Sequence, residues 1–184
     1  MQYYENIKLG ITIFMFEIDL KNNLSKPELY EEILLFLKGI TTDEKDALAI
    51  LANTASLLFF GLPEVNWAGF YRANRKELVL GPFQGKPACI RIPYGQGVCG
   101  TAFAEKKSQV ISDVNAFTGH IACDKASKSE IVLPVVLQGT VMAVLDIDSP
   151  VINRFDEDDL QGLSKIAGYL GKILDQQNAF WSLP

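Results

Sequence analysis

The chain has 184 residues, of which 48% are hydrophobic, and a formal net charge of -5 at pH 7. This length fits one domain with a substantial core. The negative charge and scattered basic residues exclude a nucleic-acid binder, which needs a basic face, and argue against docking on an anionic membrane. Three cysteines are too few and odd in number for a disulfide scaffold, so a reducing, cytoplasmic location is expected.

The first 24 residues fit no clean helical period. They contain an apolar run over residues 9–16, which is too short for a transmembrane helix because a bilayer crossing takes roughly 20 apolar residues. The basic leader and small-residue cleavage site of a secretory signal are not found around this run. We therefore predict an N-terminal extension without an assigned role at residues 1–24 and a domain at residues 25–184.

Two helices are predicted next. The stretch "SKPELYEEILLFLKG" begins with Ser25 and Glu28 at the spacing of a capping box, and Gly39 can end it in the left-handed conformation. The stretch "TTDEKDALAILANTASLLFFG" has the same pattern, with Thr41 and Glu44 as its predicted caps. Its predicted core face comprises Leu48, Leu51, Ala55 and Leu58.

After the second helix the hydrophobic pattern becomes that of strands. The segments "EVNWAGFYRA" and "ELVLGPF" predict a hairpin, and "ACIRIPYG" a third strand. A short helix "GQGVCGTAFAEKK" and a short strand "SQVISDV" follow. A second hairpin turns at Gln138–Gly139, and Asp156 caps a final helix. This order predicts a single α+β domain whose sheet is mostly antiparallel, with the long helices on one face.

Residues 114–128 are polar and without a sustained period, so we predict a long loop. A loop of this length inside a compact domain is usually functional or disordered. It contains His120, the only histidine, and Cys123, whose polar neighbours are typical of an accessible, reactive thiol. His120 fits a solvated loop residue equally well. Cys99, between glycines in "GVCGT", is also compatible with a buried small hydrophobe.

Two other uses of these residues fit the sequence less well. The three cysteines and His120 offer four zinc ligands, but structural zinc sites usually build on closely spaced cysteine pairs, which this chain lacks. We therefore predict no metal. A cysteine–histidine hydrolase requires a base oriented by a third group, and only His120, three residues before Cys123, is available as the base.

Three carboxylates are predicted to gather at one end of the sheet. Asp146 and Asp148 share a strand face because side chains alternate with a period of two. Glu130 opens the partner strand, and a turn near Gln138–Gly139 places it opposite residues 147–148. Such a cluster can bind a cationic group and can keep one acid protonated through the charges of its neighbours. A solvated strand end remains the alternative.

Two large aromatic residues share a face of the first predicted strand. In "NWAGFY", Trp67 and Tyr71 flank Gly69 on that face. Core packing explains either ring alone. The glycine between them, however, predicts a gap that could hold a ligand, and aromatic walls suit a cationic or sulfonium-like group.

The segments "NWAGFY", "LGPFQGKPACIRIPYGQGVCGTA", "DVNAFTGHIACDKASKSEIVLP" and "AVLDIDSP" followed by "FDEDD" together resemble the free methionine-(R)-sulfoxide reductases, small enzymes built on a GAF domain. The match is collinear from about Ser25 to the last helix. The resemblance implies a central antiparallel sheet of about six strands with ligand loops on one side. It also implies reduction of free L-methionine (R)-sulfoxide, thioredoxin as electron donor, no bound cofactor and a homodimer.

The resemblance also implies the role of each site residue. Cys123 takes the catalytic position, Cys89 the main resolving position, and Cys99 that of a third cysteine that can assist. The implied substrate-binding and acid residues are Trp67, Tyr71, Glu130, Asp146 and Asp148. Cys123 becomes a sulfenic acid, Cys89 condenses with it, and thioredoxin reopens the disulfide. The alternative is a GAF module that binds a small ligand without turnover, which needs no thiols at positions 89 and 123.

Overall fold

The structure is a computed structural model and describes residues 24–119 and 124–175. His120 and Cys123 therefore lie outside the described residues, as does the predicted N-terminal extension up to residue 23. The elements in chain order are α1 (Lys26–Ile40), α2 (Ala47–Gly61), β1 (Trp67–Asn74), β2 (Glu77–Gly85), β3 (Arg91–Pro93), α3 (Gly97–Glu105), β4 (Gln109–Ile111), β5 (Ser129–Leu137), β6 (Thr140–Ser149) and α4 (Glu157–Asp175).

The start of α1 is confirmed, but the predicted start of α2 is wrong. The Glu28 carboxylate accepts hydrogen bonds from the backbone N–H and hydroxyl of Ser25, at 2.9 and 2.6 Å. At α2, by contrast, Asp46 is the cap, and its side chain accepts from the Ala49 N–H. Thr41 is already used at the end of α1, which runs past Gly39, and its hydroxyl donates to the Leu37 carbonyl at 2.7 Å.

The shifted start changes the buried face of α2. Leu51, Ala55 and Leu58 are fully buried as predicted, whereas Leu48 is 63% exposed. Leu48 lies in the first turn, and Ala47 and Ile50 supply the buried contacts there instead. The helical spacing of apolar residues thus predicts the buried face of α2 correctly except for its first residue, Leu48.

The six strands form one sheet in the order β3-β2-β1-β6-β5-β4, and every neighbouring pair is antiparallel. The second hairpin turns at Gln138 and Gly139, both of which have positive φ. This is the two-residue turn whose twist suits a hairpin. It sets the pairs of β5 with β6 next to the turn, and a register shift between Val135 and Val136 changes the pairs beyond them. The predicted α+β fold with a six-stranded antiparallel sheet is confirmed.

The sheet separates two cores. One face packs against α1, α2 and α4 through residues such as Phe70, Leu133 and Leu145. The alternate side chains of the same strands, including Tyr71 and Val144, pack against α3. The prediction that helices cover one face is therefore correct for the three long helices, while α3 lies on the opposite face. None of the helices in the described part of the chain combines the length and the apolar character that crossing a bilayer requires.

The described ends of the predicted loop, residues 114–119 and 124–128, are joined to the sheet. The loop opens with a single 3₁₀ turn at Val114–Ala116. The Val114 N–H donates to the Lys128 carbonyl at 2.9 Å, and the Lys128 N–H donates to the Ser149 carbonyl at 2.7 Å. These bonds hold both ends of the loop beside the start of β5.

We expect Gly162→Ala to lower the free energy of unfolding by about 1–3 kcal/mol, because Gly162 of α4 packs directly against the ring of Tyr30, which is held in place by its surroundings. A Cβ on Gly162 would lie 2.2 Å from Cγ of Tyr30. Tyr30 is buried, and its hydroxyl donates to the fully buried Asp159 carboxylate, which also accepts from Arg154.

The matched control is Gly168→Ala on the same helix, where nothing lies within 4 Å of a new Cβ. Alanine is the better helix former, so this variant should gain about 0.5–1 kcal/mol. Urea unfolding measures both. A Gly162→Ala protein as stable as its Gly168→Ala counterpart contradicts the packing described for Tyr30.

Candidate active site

A cleft with an empty volume of about 540 Å³, counting its open mouth, lies on the α3 face of the sheet. The strands β1, β5 and β6, the start of α3 and two loops, 86–88 and 124–127, form its walls. Six of the predicted site residues line it: Trp67, Tyr71, Cys99, Glu130, Asp146 and Asp148.

Strand register brings the acids together. Glu130 of β5 pairs with Asp148 of β6, and Asp148 in turn pairs with Trp67 of β1. Asp146 lies two residues before Asp148 on the same strand face and opposite Gly69. The predicted gathering of the three carboxylates at one end of the sheet is confirmed, whereas their chemical roles remain predictions.

Burial makes these carboxyl groups hold their protons. Glu130 and Asp146 are each only 6% exposed. Burial, followed by the charges of Asp146 and Asp148, raises the pKa of Glu130 well above its usual range. Burial raises the pKa of Asp146 to about 6 and, together with the charge of Asp146, raises that of Asp148. The cluster therefore stays partly protonated at a pH where exposed carboxyl groups are ionised.

The raised pKa of Asp146 has a measurable consequence for stability. Between its ordinary value of 3.8 and about 6, the folded state binds more protons than the unfolded state, so stability falls as pH rises through this window. Asp146→Asn removes this titration. We expect the variant to gain stability relative to the wild type on going from pH 4 to pH 7, by about 2 kcal/mol. Denaturant unfolding at both pH values tests this, and a difference that does not change with pH contradicts it.

Cys99 lies in the first turn of α3 and is buried against the acids. Its Sγ donates to Oε1 of Glu130 at 3.9 Å. Burial, then the charges of Asp146 and Glu130, raises the pKa of the Cys99 thiol well above its usual range. A thiol that keeps its proton is a poor nucleophile, so Cys99 is suited to hydrogen bonding in the cleft rather than to attack on substrate.

Cys99, Glu130 and Asp146 also form a cluster of ligand atoms that a bound cation would contact. Cys99 Sγ and one carboxylate oxygen each from Glu130 and Asp146 lie within 4.8 Å of one another. One oxygen of Asp146, Oδ1, is buried without a hydrogen-bond partner among the described residues. This set of one thiol and two carboxylates differs from the cysteine pairs of structural zinc sites and does not include His120. It suits a positively charged or proton-accepting ligand in general.

Cys89 lies at the edge of the cleft in a loop. It was predicted at the head of a strand, but β3 spans only Arg91–Pro93, and Cys89 precedes it. Pro87, which has no N–H to give to a sheet, stands two residues earlier. Cys89 is half-buried and packs beside the α3-side core, and its neighbour Ala88 lines the cleft.

The predicted gap above Gly69 is wrong, because other side chains fill it. Trp67 stacks on Phe83 with ring centroids 5.3 Å apart and on Tyr71 at 5.9 Å. A Cβ on Gly69 would lie 2.4 Å from Cβ of Phe83, its partner in β2, and 2.8 Å from the Trp67 ring. The glycine thus allows the rings to stack, and the stacked Trp67 and Tyr71 form one wall of the cleft.

The mouth of the cleft contains residues that the sequence analysis missed. The Lys86 ammonium lies 3.1 Å from Oδ2 of Asp124, and the Trp67 indole N–H donates to the Lys86 carbonyl at 3.1 Å. The side chain of Lys86 is 69% exposed and that of Asp124 15%. Hydrogen bonding from the Ala126 N–H, then from Lys86, lowers the pKa of Asp124. No local pattern signals a contact across 38 residues.

Several known proteins are similar to this chain in sequence. The GAF domain family model matches residues 41–175. The Bacillus subtilis protein YtsP is 56% identical over 164 residues, which cover 88% of this chain and 100% of that protein. The Escherichia coli free methionine-R-sulfoxide reductase is 51% identical over 151 residues, or 82% of this chain and 92% of that one.

A solved structure is also similar to this chain. It is the X-ray structure of free methionine-R-sulfoxide reductase from Neisseria meningitidis in complex with its substrate, which is 43% identical with a TM-score of 0.81. The match covers 84% of this chain and 93% of that chain. The GAF family model spans all the strands and the helix that build the cleft, and the chain therefore belongs to the GAF-domain family, in the same group as the free methionine-R-sulfoxide reductases.

Proposed function

We propose that this protein reduces free L-methionine (R)-sulfoxide to L-methionine through a cysteine sulfenic acid and an intramolecular disulfide, which thioredoxin recycles. The observation that carries the proposal is the cleft itself, where buried carboxyl groups with raised pKa lie beside an aromatic wall. The E. coli and N. meningitidis relatives, both named for this activity, support it.

The cleft has the features that a sulfoxide requires. The sulfoxide oxygen is a strong hydrogen-bond acceptor, and a protonated carboxyl among Glu130, Asp146 and Asp148 can donate to it. The sulfur carries partial positive charge, which the faces of Trp67 and Tyr71 attract. The walls thus favour the polarised S–O group over the thioether of the product, which has no such oxygen and leaves more easily.

In the first half-reaction, the Cys123 sulfur attacks the sulfoxide sulfur while a carboxyl group of the cluster gives a proton to the oxygen. The oxygen ends on Cys123 as a sulfenic acid, and methionine departs. The methionine sulfur gains the two electrons that the cysteine sulfur loses. The proton that the Cys123 thiol loses restores the carboxyl group, so overall one thiol and one sulfoxide give one sulfenic acid and one thioether, and atoms and charges balance.

In the second half-reaction, the Cys89 sulfur attacks the sulfenic sulfur of Cys123, and the oxygen leaves as water. A dithiol such as thioredoxin then attacks the Cys123–Cys89 disulfide, takes the oxidation onto its own sulfurs and returns both thiols. Cys99 is an assisting thiol in this scheme, because its raised pKa keeps it protonated and therefore weakly nucleophilic. We propose a homodimer in the cytoplasm, where thiol reductants are abundant.

The acids also affect the nucleophile. Ionised carboxylates near a thiol raise its pKa and reduce its thiolate fraction. Because Glu130 and Asp148 keep their protons through burial, the cluster has fewer negative charges than its three carboxyl groups suggest. These protons are therefore available for transfer to the sulfoxide oxygen. Because they neutralise the carboxylates, they also limit the rise in the pKa of the attacking thiol.

The test is thioredoxin-coupled oxidation of NADPH with four substrates: the free (R) and (S) sulfoxides and a peptide containing either epimer. We expect turnover with the free (R) epimer alone. A protein that binds the free sulfoxide in calorimetry without consuming NADPH is instead a GAF ligand-binding module. Turnover of the peptide at a similar rate contradicts the proposed substrate.

A further inference from the structure

We propose that Lys86 binds the α-carboxylate of the incoming amino acid and thereby makes the cleft selective for free methionine sulfoxide over the same residue within a peptide. The inference rests on the proposed function and assigns a specificity role within that site. A residue inside a peptide has an amide where the free amino acid has a carboxylate, so a cation at the correct end of the cleft discriminates between them.

The cleft is strongly polarised in charge. Among the described residues that line it, Lys86 is the only cation, whereas four are acidic: Asp124, Glu130, Asp146 and Asp148. The chain as a whole also has a net charge of -5. Among the described lining residues, Lys86 is therefore the one side chain whose charge attracts a carboxylate that enters the cleft.

Exposure places Lys86 at the end of the cleft that the α-carboxylate would occupy. Its side chain is 69% exposed, whereas Glu130 and Asp146, at the closed end, are 6% exposed. A methionine sulfoxide whose S–O group reaches the buried acids extends its amino-acid head toward the mouth. The head then lies beside the lysine and the carboxylate of Asp124, which together complement a zwitterion.

Two contacts hold Lys86 in this position. The Trp67 indole N–H donates to its carbonyl at 3.1 Å, which ties the backbone at position 86 to the aromatic wall. Asp124 holds the ammonium, with contacts of 3.1 and 3.3 Å to its two oxygens. A lysine ammonium has three donors, so a donor remains for a ligand carboxylate while the ion pair persists.

The test compares two substrates in three variants. The substrates are free L-methionine (R)-sulfoxide and its α-carboxamide, assayed at pH 6.5, where both amino groups stay mostly protonated. In the wild type we expect kcat/KM for the carboxamide to be about 10- to 100-fold lower, the range that one charged hydrogen bond supports. In Lys86→Ala, kcat/KM for the free acid should fall by a similar factor, whereas kcat/KM for the carboxamide should not change.

Lys86→Arg should restore most of the preference, because it keeps the charge. Lys107→Ala is the control for net charge, since Lys107 is exposed and outside the cleft lining. The proposal is wrong if the wild type uses acid and carboxamide equally, or if Lys86→Ala loses the same factor on both. Calorimetric binding of both ligands separates this outcome from failure of the proposed function: a wild type that binds the acid selectively through Lys86 without reducing it upholds the lysine and refutes the reaction.

Discussion

The Cys123→Ser variant is expected to lose reduction of free methionine (R)-sulfoxide by at least about 1000-fold, because a serine hydroxyl is a far weaker nucleophile than a thiol and forms no sulfenic acid. Thioredoxin-coupled NADPH oxidation measures this loss. Calorimetry should still show binding of the sulfoxide, since the acids and aromatic residues of the cleft are unchanged. Wild-type turnover in this variant contradicts the assignment of the nucleophile.

Cys99→Ser is the matched control for this substitution. It exchanges the same atoms at a thiol that is buried, hydrogen-bonded to Glu130 and kept protonated by its surroundings. Serine can also donate a hydrogen bond to Glu130. We expect the first turnover, measured by rapid quench without thioredoxin, to stay within a few-fold of the wild type. A loss as large as that of Cys123→Ser makes Cys99 the attacking thiol instead.

Glu130→Gln and Asp148→Asn should each lower kcat by roughly 100- to 10,000-fold, the usual range for removing a general acid. Both residues pair across β5 and β6, and burial raises the pKa of both. An amide keeps the shape of a protonated carboxyl but cannot give up a proton to the sulfoxide oxygen. Steady-state kinetics with saturating thioredoxin measures the loss in kcat.

The melting temperatures of these variants distinguish a chemical role of Glu130 and Asp148 from a structural one. At neutral pH the folded protein has to protonate these two carboxyl groups, which costs stability, whereas an amide needs no proton, so the melting temperature of either variant should equal or exceed that of the wild type. Asp43→Asn, at an exposed turn where asparagine suits the positive φ, controls for loss of one acid elsewhere. If Glu130→Gln and Asp148→Asn melt well below the wild type while kcat is retained, the acids are structural.

The fold was largely predictable because its main determinants are local. The two-residue turn at Gln138–Gly139 sets the first pairs of β5 with β6, which is why the sequence places Glu130 opposite residues 147–148. A register shift between Val135 and Val136, which no local pattern signals, makes Asp148 its partner. The start of α2 was not predictable, since Thr41 and Asp46 are both good caps. The choice between them depends on Thr41 already bonding to the end of α1.

The site was predictable where residues share a strand and not where distant segments meet. The alternation of side chains placed Asp146 with Asp148 and Trp67 with Tyr71. It did not reveal that Phe83, from the neighbouring strand, would close the space over Gly69. The Lys86–Asp124 contact joins two loops through tertiary structure alone. Cys123 lies outside the described residues, so its role depends on the family resemblance.

The most direct test of the central claim, a cysteine redox cycle on the free amino acid, is a single-turnover reaction without thioredoxin. Reduced protein is mixed with stoichiometric free L-methionine (R)-sulfoxide, and the products are analysed by intact-protein and peptide mass spectrometry. We expect stoichiometric methionine, loss of two hydrogens from the protein, and a peptide pair linking Cys123 to Cys89. Methionine formed without a change in protein mass, or an unchanged sulfoxide, contradicts it.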